Sequence, residues 1–239
     1  TLVLWSSAMT HCREQARCGQ TCPSTASQQP GFVAKRATSG IWADGAQCAR
    51  RKKRASAGRF AKMTVTFTTP TLETERLNLR APRACDMAAF LDFYASDRSQ
   101  YVGGPLEGRT AWNAFASEIG HWVLQNYGMW VVTLKGVDTP LGIVGHWCPS
   151  NWPETEIGWV LFSETSQGKG YAREAAEAAV DHAWNVLGWD TIVSYIDHAN
   201  APSIALAERL GAVLDPDAPQ PKPEDPCLVY RHTRPEAAI

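Results

Sequence analysis

The chain has 239 residues, 44% of them apolar, and its 23 Lys/Arg and 24 Asp/Glu residues leave a net charge of −1. This is enough material for one sizeable core, and no apolar run approaches the roughly 20 residues that a membrane-spanning helix requires. The near-neutral total conceals two oppositely charged parts, because residues 1–63 carry a net charge of +9 and residues 64–239 a net charge of −10.

The first 62 residues form a basic leader that lacks hydrophobic periodicity and includes the run Arg50-Arg51-Lys52-Lys53-Arg54. We expect it to be disordered, because it has too little apolar surface to offset the entropy of ordering. Three interpretations are open: a nucleic-acid-binding tail, an organellar transit peptide, or translated upstream sequence without function. We favour the last, because Met63-Thr64-Val65 resembles a start, and we expect no nucleic-acid partner.

The seven cysteines show no paired framework, which favours a reducing compartment and predicts a cytoplasmic protein. Cys18 and Cys22, with His11 and Cys12 nearby, have the residue types of a zinc site. Their spacing is irregular, however, and no folded scaffold is predicted around them. We therefore predict no metal site.

Residues 63–239 are predicted to form one α/β domain. Apolar residues at helical spacing predict helices over residues 86–94, with Asp86 as the cap, and 111–124. Three β-rich runs separated by turns then predict an antiparallel meander over residues 129–134, 141–147 and 156–162.

The last part of the domain alternates helices and strands. A long helix over residues 172–187 carries a stripe of small residues that would let it lie close against a sheet. A short buried strand follows at 191–196, then a helix at 204–210 that is closed by Gly211. Residues 227–233 predict a final edge strand.

The most informative segment is the turn before the long helix, Gln167-Gly168-Lys169-Gly170-Tyr171-Ala172. A glycine-bearing turn that opens a helix leaves several backbone N–H groups unpaired, which makes a seat for a phosphate or pyrophosphate. The segment lacks the third glycine of a dinucleotide fingerprint, and no Gly-Lys-Ser/Thr follows, so neither a Rossmann nor a Walker loop fits. An ordinary strand-to-helix turn is the alternative.

Three separated segments resemble the GNAT N-acetyltransferases. Gln167, Gly170 and Ala172 fit the pattern Gln/Arg-x-x-Gly-x-Gly/Ala of the acyl-coenzyme A pyrophosphate loop. Asn200-x-x-Ser203, followed by Glu-Arg-Leu-Gly-Ala, resembles the next segment of that family. Residues 72–80 resemble the opening strand of the RimJ/RimL-like branch, so that the resemblance spans residues 71–233.

The resemblance implies an α/β fold of the GNAT type, with a mixed, mostly antiparallel central sheet flanked by helices. It implies an N-acetyltransferase that uses acetyl-CoA as co-substrate, needs no metal, and acts on a primary amine of a small molecule or a protein N-terminus. Homodimers are common among such proteins. The positions that it assigns to acyl-CoA binding are Val160, Phe162, Gln167, Gly168, Lys169, Gly170, Tyr171, Ala172, Asn200 and Ser203.

Acetyl transfer from a thioester to an amine needs a base, an oxyanion donor and a proton for the departing thiolate. We predict Glu156 as the base, the alternative being a solvent-facing or substrate-orienting charge, with Glu154 on the same face if the strand is regular. The oxyanion donor would be a backbone N–H of the strand that ends at Phe162. The tyrosine usual in the family is replaced by Ala207, so Ser203 is predicted near the sulfur, with helix capping as its alternative role.

Trp147 and Trp152 are predicted to line the acceptor cleft together with Glu154, although core packing would also explain two tryptophans. The net charge of −10 on the domain would attract a cationic acceptor such as a peptide N-terminus or a polyamine. Because Ala207 replaces the usual acid, a non-catalytic acyl-CoA-binding module is the alternative function. His182 and His198 are interpreted as surface or structural residues.

Overall fold

The computed structural model describes residues 68–235, and the predictions made for residues 1–62 lie outside the described residues. The described part contains eight strands and four α-helices. In chain order these are β1 (Leu72–Glu73), β2 (Leu77–Arg80), α1 (Met87–Tyr94), α2 (Gly108–Gln125), β3 (Met129–Leu134), β4 (Pro140–Trp147), β5 (Glu156–Leu161), α3 (Tyr171–Asn185), β6 (Thr191–Ile196), α4 (Ala201–Arg209), β7 (Val213–Leu214) and β8 (Leu228–Thr233).

The strands form one sheet in the order β1-β2-β3-β4-β5-β6-β8-β7. Every neighbouring pair is antiparallel except β5 and β6, which run parallel. This confirms the mixed, mostly antiparallel sheet and the meander of β3, β4 and β5. Between residues 68 and 235, no helix is both long and apolar enough to cross a membrane.

The helices cover both faces of the sheet. Successive side chains of a strand point to opposite faces, so the neighbours of β5 side chains show which helices lie on which face. On one face, Val160 of β5 packs in a cluster with aromatic residues of α1 and α2. On the other face, Ile157 of β5 packs against alanines of α3 that are fully buried. The predicted small-residue stripe of the long helix is therefore confirmed.

The opening segment and the closing segment both differ from the sequence prediction. Residues 72–80 form a hairpin of β1 and β2 rather than one strand, because Thr74 closes a tight turn in which its N–H donates to the carbonyl of Leu77 at 3.0 Å. The strand predicted near the C-terminus is present, but the prediction that it forms an edge of the sheet is wrong. β8 lies between β6 and β7, and the two-residue strand β7 forms the edge.

Two helix starts also differ in their chemistry. Asp86 occupies the position before α1, but its carboxylate binds the Arg80 guanidinium at 2.8 Å through both oxygens and makes no cap bond to the helix. α4 begins at Ala201, three residues earlier than predicted, because the side chain of Asn200 caps it and a proline is tolerated in its first turn.

Candidate active site

The parallel strands β5 and β6 pair only near the first residue of β5. Their backbones are in register at one position, Glu156 opposite Val193, and Val193 N donates to the carbonyl of Thr155 at 3.0 Å. The Ser194 hydroxyl adds one bond, donated to the carbonyl of Ile157 at 2.9 Å. Beyond these contacts a small cavity of about 20 Å³ opens, lined by Val102, Ile157, Gly158, Trp159, Ser194, Ile196, Asn200 and Ser203.

The direction of the β5 backbone decides which groups face this opening. Phe162 N donates to the carbonyl of Leu141 at 2.8 Å, so the backbone of Phe162 faces β4. Because alternate residues of an antiparallel pair share a direction, Val160 faces β4 as well, while Trp159 and Leu161 direct their backbone N–H groups toward the opening. The backbone of Ile157 has the same direction but is used in the pairing with β6. The strand ends one residue earlier than predicted and the N–H of Phe162 is engaged, so an oxyanion donor on β5 must come from Trp159 or Leu161.

The glycine turn lies at the start of α3, as predicted. Residues 167–170 are exposed, and Gly168 and Gly170 have φ values of 71° and 81°, a left-handed conformation that glycine adopts without strain. Gly170 precedes the first residue of the helix, and no side chain caps that end. The N–H groups of the first turn of α3 thus remain for an anion, which the helix dipole favours.

Arg76, which the sequence analysis did not select, holds this turn in place. Its guanidinium donates to the carbonyl of Lys169 at 3.0 Å and to the Glu174 carboxylate at 2.6 Å, and lies 4.9 Å from the centre of the Tyr171 ring. A β-carbon on Gly170 would lie 3.3 Å from its Nη2 atom. Arg76 lies 93 residues before the carbonyl that it binds, so no local pattern indicates the contact.

Asn200 and Ser203 lie together at the cavity wall, and the structure decides which of them caps the helix. The Asn200 side chain accepts a hydrogen bond from Ser203 N at 3.3 Å, so the cap is Asn200, and the capping role considered for Ser203 is wrong. The Ser203 hydroxyl instead accepts from the indole N–H of Trp159 at 3.2 Å. With that bond made, the hydroxyl proton of Ser203 can be donated to a third group. The position of the missing tyrosine, Ala207, is fully buried.

Glu156 stands at the base of the opening on the sheet face that α1 and α2 cover. It is opposite Trp147 of β4 and only 1% exposed, and its Oε2 atom accepts from the indole N–H of Trp152 at 2.9 Å. Burial raises the pKa of its carboxyl group, which makes the ionised form a stronger base. Trp147 and Trp152, the two tryptophans predicted to line the acceptor cleft, are themselves buried. Trp152 binds the predicted base directly, and Trp147 lies opposite it on the neighbouring strand.

Glu154 does not share this position. β5 begins at Glu156, so the strand alternation that would place Glu154 on the same face does not reach it. Its two carboxylate oxygens accept from the Arg231 guanidinium at 2.7 and 2.9 Å. Arg231 also binds Asp215 at 2.7 Å, so these three side chains link β8 to the residues just before β5 and just after β7. Contact of Glu154 with an acceptor remains a prediction.

The structure adds three polar side chains that the sequence analysis missed. Glu118 of α2 is 1% exposed, and neither carboxylate oxygen has a hydrogen-bond partner within residues 68–235. Burial raises the pKa of Glu118 to about 8, and the charge of Glu156 contributes to the rise. The hydroxyl groups of Tyr94 and Tyr195 are also buried and lack a partner in the same range. The sequence did contain an indication of Glu118, because this charged residue interrupts the apolar face of α2.

In the described part of the chain, no group of three or more His, Cys, Asp and Glu side chains is arranged to hold a metal ion. His182 is buried, with its ring centre 5.1 Å from that of Trp130, and has a structural position. His198 is exposed. The three described cysteines, Cys85, Cys148 and Cys227, form no disulfide.

Residues 76–213 match the acetyltransferase (GNAT) domain. The Bacillus subtilis protein YkkB is 31% identical over 150 residues, which are 59% of this chain and 83% of that protein. An acetyltransferase from Agrobacterium tumefaciens whose crystal structure is known has 40% sequence identity to this chain and a TM-score of 0.66. The match covers 73% of this chain and all of that one. RimL, a ribosomal L7/L12 alpha-N-protein acetyltransferase in complex with coenzyme A, shares the fold at 18% identity, with a TM-score of 0.54 and coverage of 69% and 98%. The chain belongs to the GNAT acetyltransferase family.

Proposed function

We propose that the protein transfers an acetyl group from acetyl-CoA to a primary amine by direct attack in a ternary complex. The observation that carries the proposal is the opening between β5 and β6. Ser203 lines it, the glycine turn begins the helix α3 that packs on the same face of the sheet, and Glu156 lies at its base on the other face. A donor and an acceptor can therefore meet between the strands from opposite sides.

The donor side offers the groups that coenzyme A requires. The first-turn N–H groups of α3 suit the pyrophosphate, and the positive charges of Lys169 and Arg76 lie beside that end of the helix. The backbone groups of Trp159 and the N–H of Leu161, which face the opening, suit the amide groups of an extended pantetheine arm. Asn200 and Ser203 line the same cavity, in agreement with the residues that the family resemblance assigns.

The chemistry divides between Glu156 and Ser203. Acetyl-CoA supplies an activated thioester carbonyl; the amine nitrogen forms a bond to that carbon, and the carbon–sulfur bond breaks. Glu156 takes the proton that the amine must lose, directly or through one water, and a backbone N–H of Trp159 or Leu161 stabilises the oxyanion. Ser203 gives its hydroxyl proton to the departing thiolate and regains one from solvent.

The acceptor is a primary amine, either of a small molecule or at a protein N-terminus. The branch resemblance points to N-termini, since RimL is a protein acetyltransferase, but the fold and the donor loop serve both kinds of acceptor. The net charge of −10 on residues 64–239 favours a cationic acceptor of either kind.

One observation favours a second candidate function, a non-catalytic acyl-CoA-binding module. Ala207 replaces the tyrosine usual in the family, and its side chain is buried in a small cluster with Ile196, Ala212 and Tyr230. A module of this kind needs the donor side alone and has no use for a buried carboxylate beside the opening. Turnover separates the two functions.

The test measures thiol release from acetyl-CoA by the full-length chain against a panel of amines and N-terminal peptides, with acetyl-CoA binding followed by calorimetry. We expect release that depends on one acceptor class, and a decrease in kcat of roughly 10- to 100-fold for Ser203→Ala. Ser117→Ala, an exposed serine on α2, is the matched control and should leave kcat unchanged. Tight acetyl-CoA binding without release for any acceptor would support the binding module instead.

A further inference from the structure

Around Glu156, the sheet face under α1 and α2 holds a cluster of polar atoms without partners. Within the described range, these are both carboxylate oxygens of Glu118, the hydroxyl groups of Tyr94 and Tyr195, and the indole N–H of Trp147. A polar group that is buried and unpaired costs free energy in the folded state, and such groups are rare in native proteins. Several in one place indicate a site whose partner is a ligand.

The groups belong to one site because four elements bring them together. Glu118 lies on α2, one turn after Phe115, whose ring contacts Phe90 of α1 at 5.2 Å. His121, one turn further along α2, stacks on Trp147 at 4.7 Å. Burial is the largest cause that raises the pKa of Tyr94, and the nearby carboxyl groups of Glu118 and Glu156 both add to the rise. The three groups therefore lie within electrostatic range of one another.

Charge balance indicates what the ligand must carry. An amine that attacks the thioester gives its proton to Glu156 and becomes neutral, so it brings no positive charge that would favour the ionised form of Glu118 over the neutral form that burial favours. A second ammonium group on the same acceptor stays protonated throughout the reaction and can pair with Glu118. The aromatic walls suit the methylene chain between two such groups and add cation–π attraction.

The burial of the site limits the size of the acceptor. Every side chain that forms it is at most 6% exposed, namely Tyr94, Glu118, Trp147, Trp152, Glu156 and Tyr195. A compact, flexible molecule can enter such a site, whereas the N-terminus of a folded protein brings a bulky chain behind it. The net charge of −10 on the domain would also concentrate a dication near the entrance.

We propose that Glu118 binds a second cationic group of the acceptor, and that the preferred acceptor is consequently a small diamine. The proposal rests on the acetyltransferase function proposed above and names the substrate class of the same site. Glu118 is then a specificity-determining residue, distinct from Glu156, which acts on the reacting nitrogen.

The experiment uses the full-length chain with saturating acetyl-CoA. It compares diamines of three to five carbons with monoamines of the same chain length, for the unsubstituted protein, Glu118→Gln and Glu224→Gln. Glu224 is exposed, so Glu224→Gln is the same chemical change at a position outside the site. We expect KM to be at least tenfold lower for the best diamine than for its monoamine. Glu118→Gln should raise the diamine KM at least tenfold, change the monoamine KM less than twofold, and leave the acetyl-CoA dissociation constant unaltered.

The outcomes separate this inference from the function on which it rests. If monoamines or N-terminal peptides turn over as well as diamines, and Glu118→Gln alters all of them equally, the inference is overturned while the acetyltransferase function stands. If no amine releases thiol although acetyl-CoA binds, both are overturned. An equal loss of diamine preference in Glu224→Gln would show that surface charge, and not Glu118, selects the acceptor.

Discussion

The two sides of β5 are built in different ways. On the proposed donor side, the glycine turn is exposed, its positive φ values come from glycine, and the groups proposed to bind acetyl-CoA are backbone N–H groups at the start of α3. On the proposed acceptor side, the groups are side chains of five elements, each almost completely buried, with Glu118 and Glu156 among aromatic rings. One side is a local backbone structure and the other is a tertiary assembly.

This difference has energetic consequences. Backbone N–H groups at an exposed helix start can be solvated when no ligand is bound, so the donor side costs the folded protein little. The acceptor side holds buried carboxyl groups with raised pKa values, so its ionisation opposes folding. Substitutions on the donor side should therefore act on acetyl-CoA affinity, and substitutions on the acceptor side on turnover, acceptor choice and stability.

The largest effect is expected for Glu156→Gln, which keeps the shape of the side chain and removes the base. We expect kcat to fall by about 100-fold or more, since a positioned general base contributes roughly 10²–10⁴. Acetyl-CoA affinity should stay within twofold, because Glu156 belongs to the acceptor side. Thiol release and calorimetry together measure both quantities, and Glu224→Gln is the control. Full activity in Glu156→Gln would remove Glu156 from the mechanism.

The second prediction concerns stability and pH. The pKa of Glu118 is about 8 in the folded protein and 4.5 in the free side chain, so the free energy that its ionisation costs the folded state is absent below pH 4.5 and increases as the pH rises to 8. Glu118→Gln should raise the free energy of unfolding at pH 8 by on the order of 2 kcal/mol. The gain should disappear below about pH 4.5, where the carboxyl group is neutral in both states.

Urea unfolding at several pH values, with Glu224→Gln in parallel, measures this effect. Equal unfolding free energies for Glu118→Gln and the unsubstituted protein at pH 8 would mean that solvent reaches the carboxylate. If the prediction holds together with a loss of diamine preference, the same side chain lowers stability and sets the acceptor, which a merely structural glutamate would not do.

The third prediction tests the donor side alone. Gly170→Ala places a side chain at a φ value of 81°, which costs about 1 kcal/mol or more, and crowds the Arg76 guanidinium. We expect the acetyl-CoA dissociation constant to rise about tenfold while kcat at saturation changes little. Gly188→Ala is the matched control. Gly188 has a φ value of 71°, has open space around it, and lies beyond the other end of α3.

Both glycine substitutions should lower stability, and only Gly170→Ala should weaken acetyl-CoA binding. Equal binding by the two variants would show that the conformation of the turn does not matter for the donor. A weakened Gly188→Ala would instead point to a general loss of order in α3.

The smallest effect is expected for Arg76→Gln. The Arg76 side chain is 45% exposed, and exposed ion pairs contribute about 0.2–1 kcal/mol, so the acetyl-CoA dissociation constant should rise only two- to fivefold. Arg83→Gln, an exposed arginine that pairs with Asp138, is the control. Because salt screens an exposed charge, the difference between Arg76→Gln and the unsubstituted protein should shrink at 1 M salt. A difference that salt leaves unaltered would indicate a packing role.

The parts of the site that sequence reasoning predicted are those formed by neighbouring residues. The turn at 167–172 was recognisable because glycines and a following helix lie within six residues, and Asn200 and Ser203 because they share one helix start. Arg76 could not be predicted, since its contacts with Lys169 and Glu174 join residues more than 90 positions apart. The N–H of β5 that could serve as oxyanion donor could not be chosen for a related reason, because the direction of a strand N–H depends on the partner strand.

The sequence by itself determined the order of helices and strands, the mixed α/β class and the glycine turn before α3, because periodicity and turn chemistry act over a few residues. Only the tertiary structure decided that β8 lies between β6 and β7, that β5 and β6 pair at one position, and that Glu118 comes to the same site as Glu156. Strand order, register and burial arise from contacts between distant parts of the chain. A carboxylate such as Glu118 therefore gains its unusual chemistry from its neighbours in space.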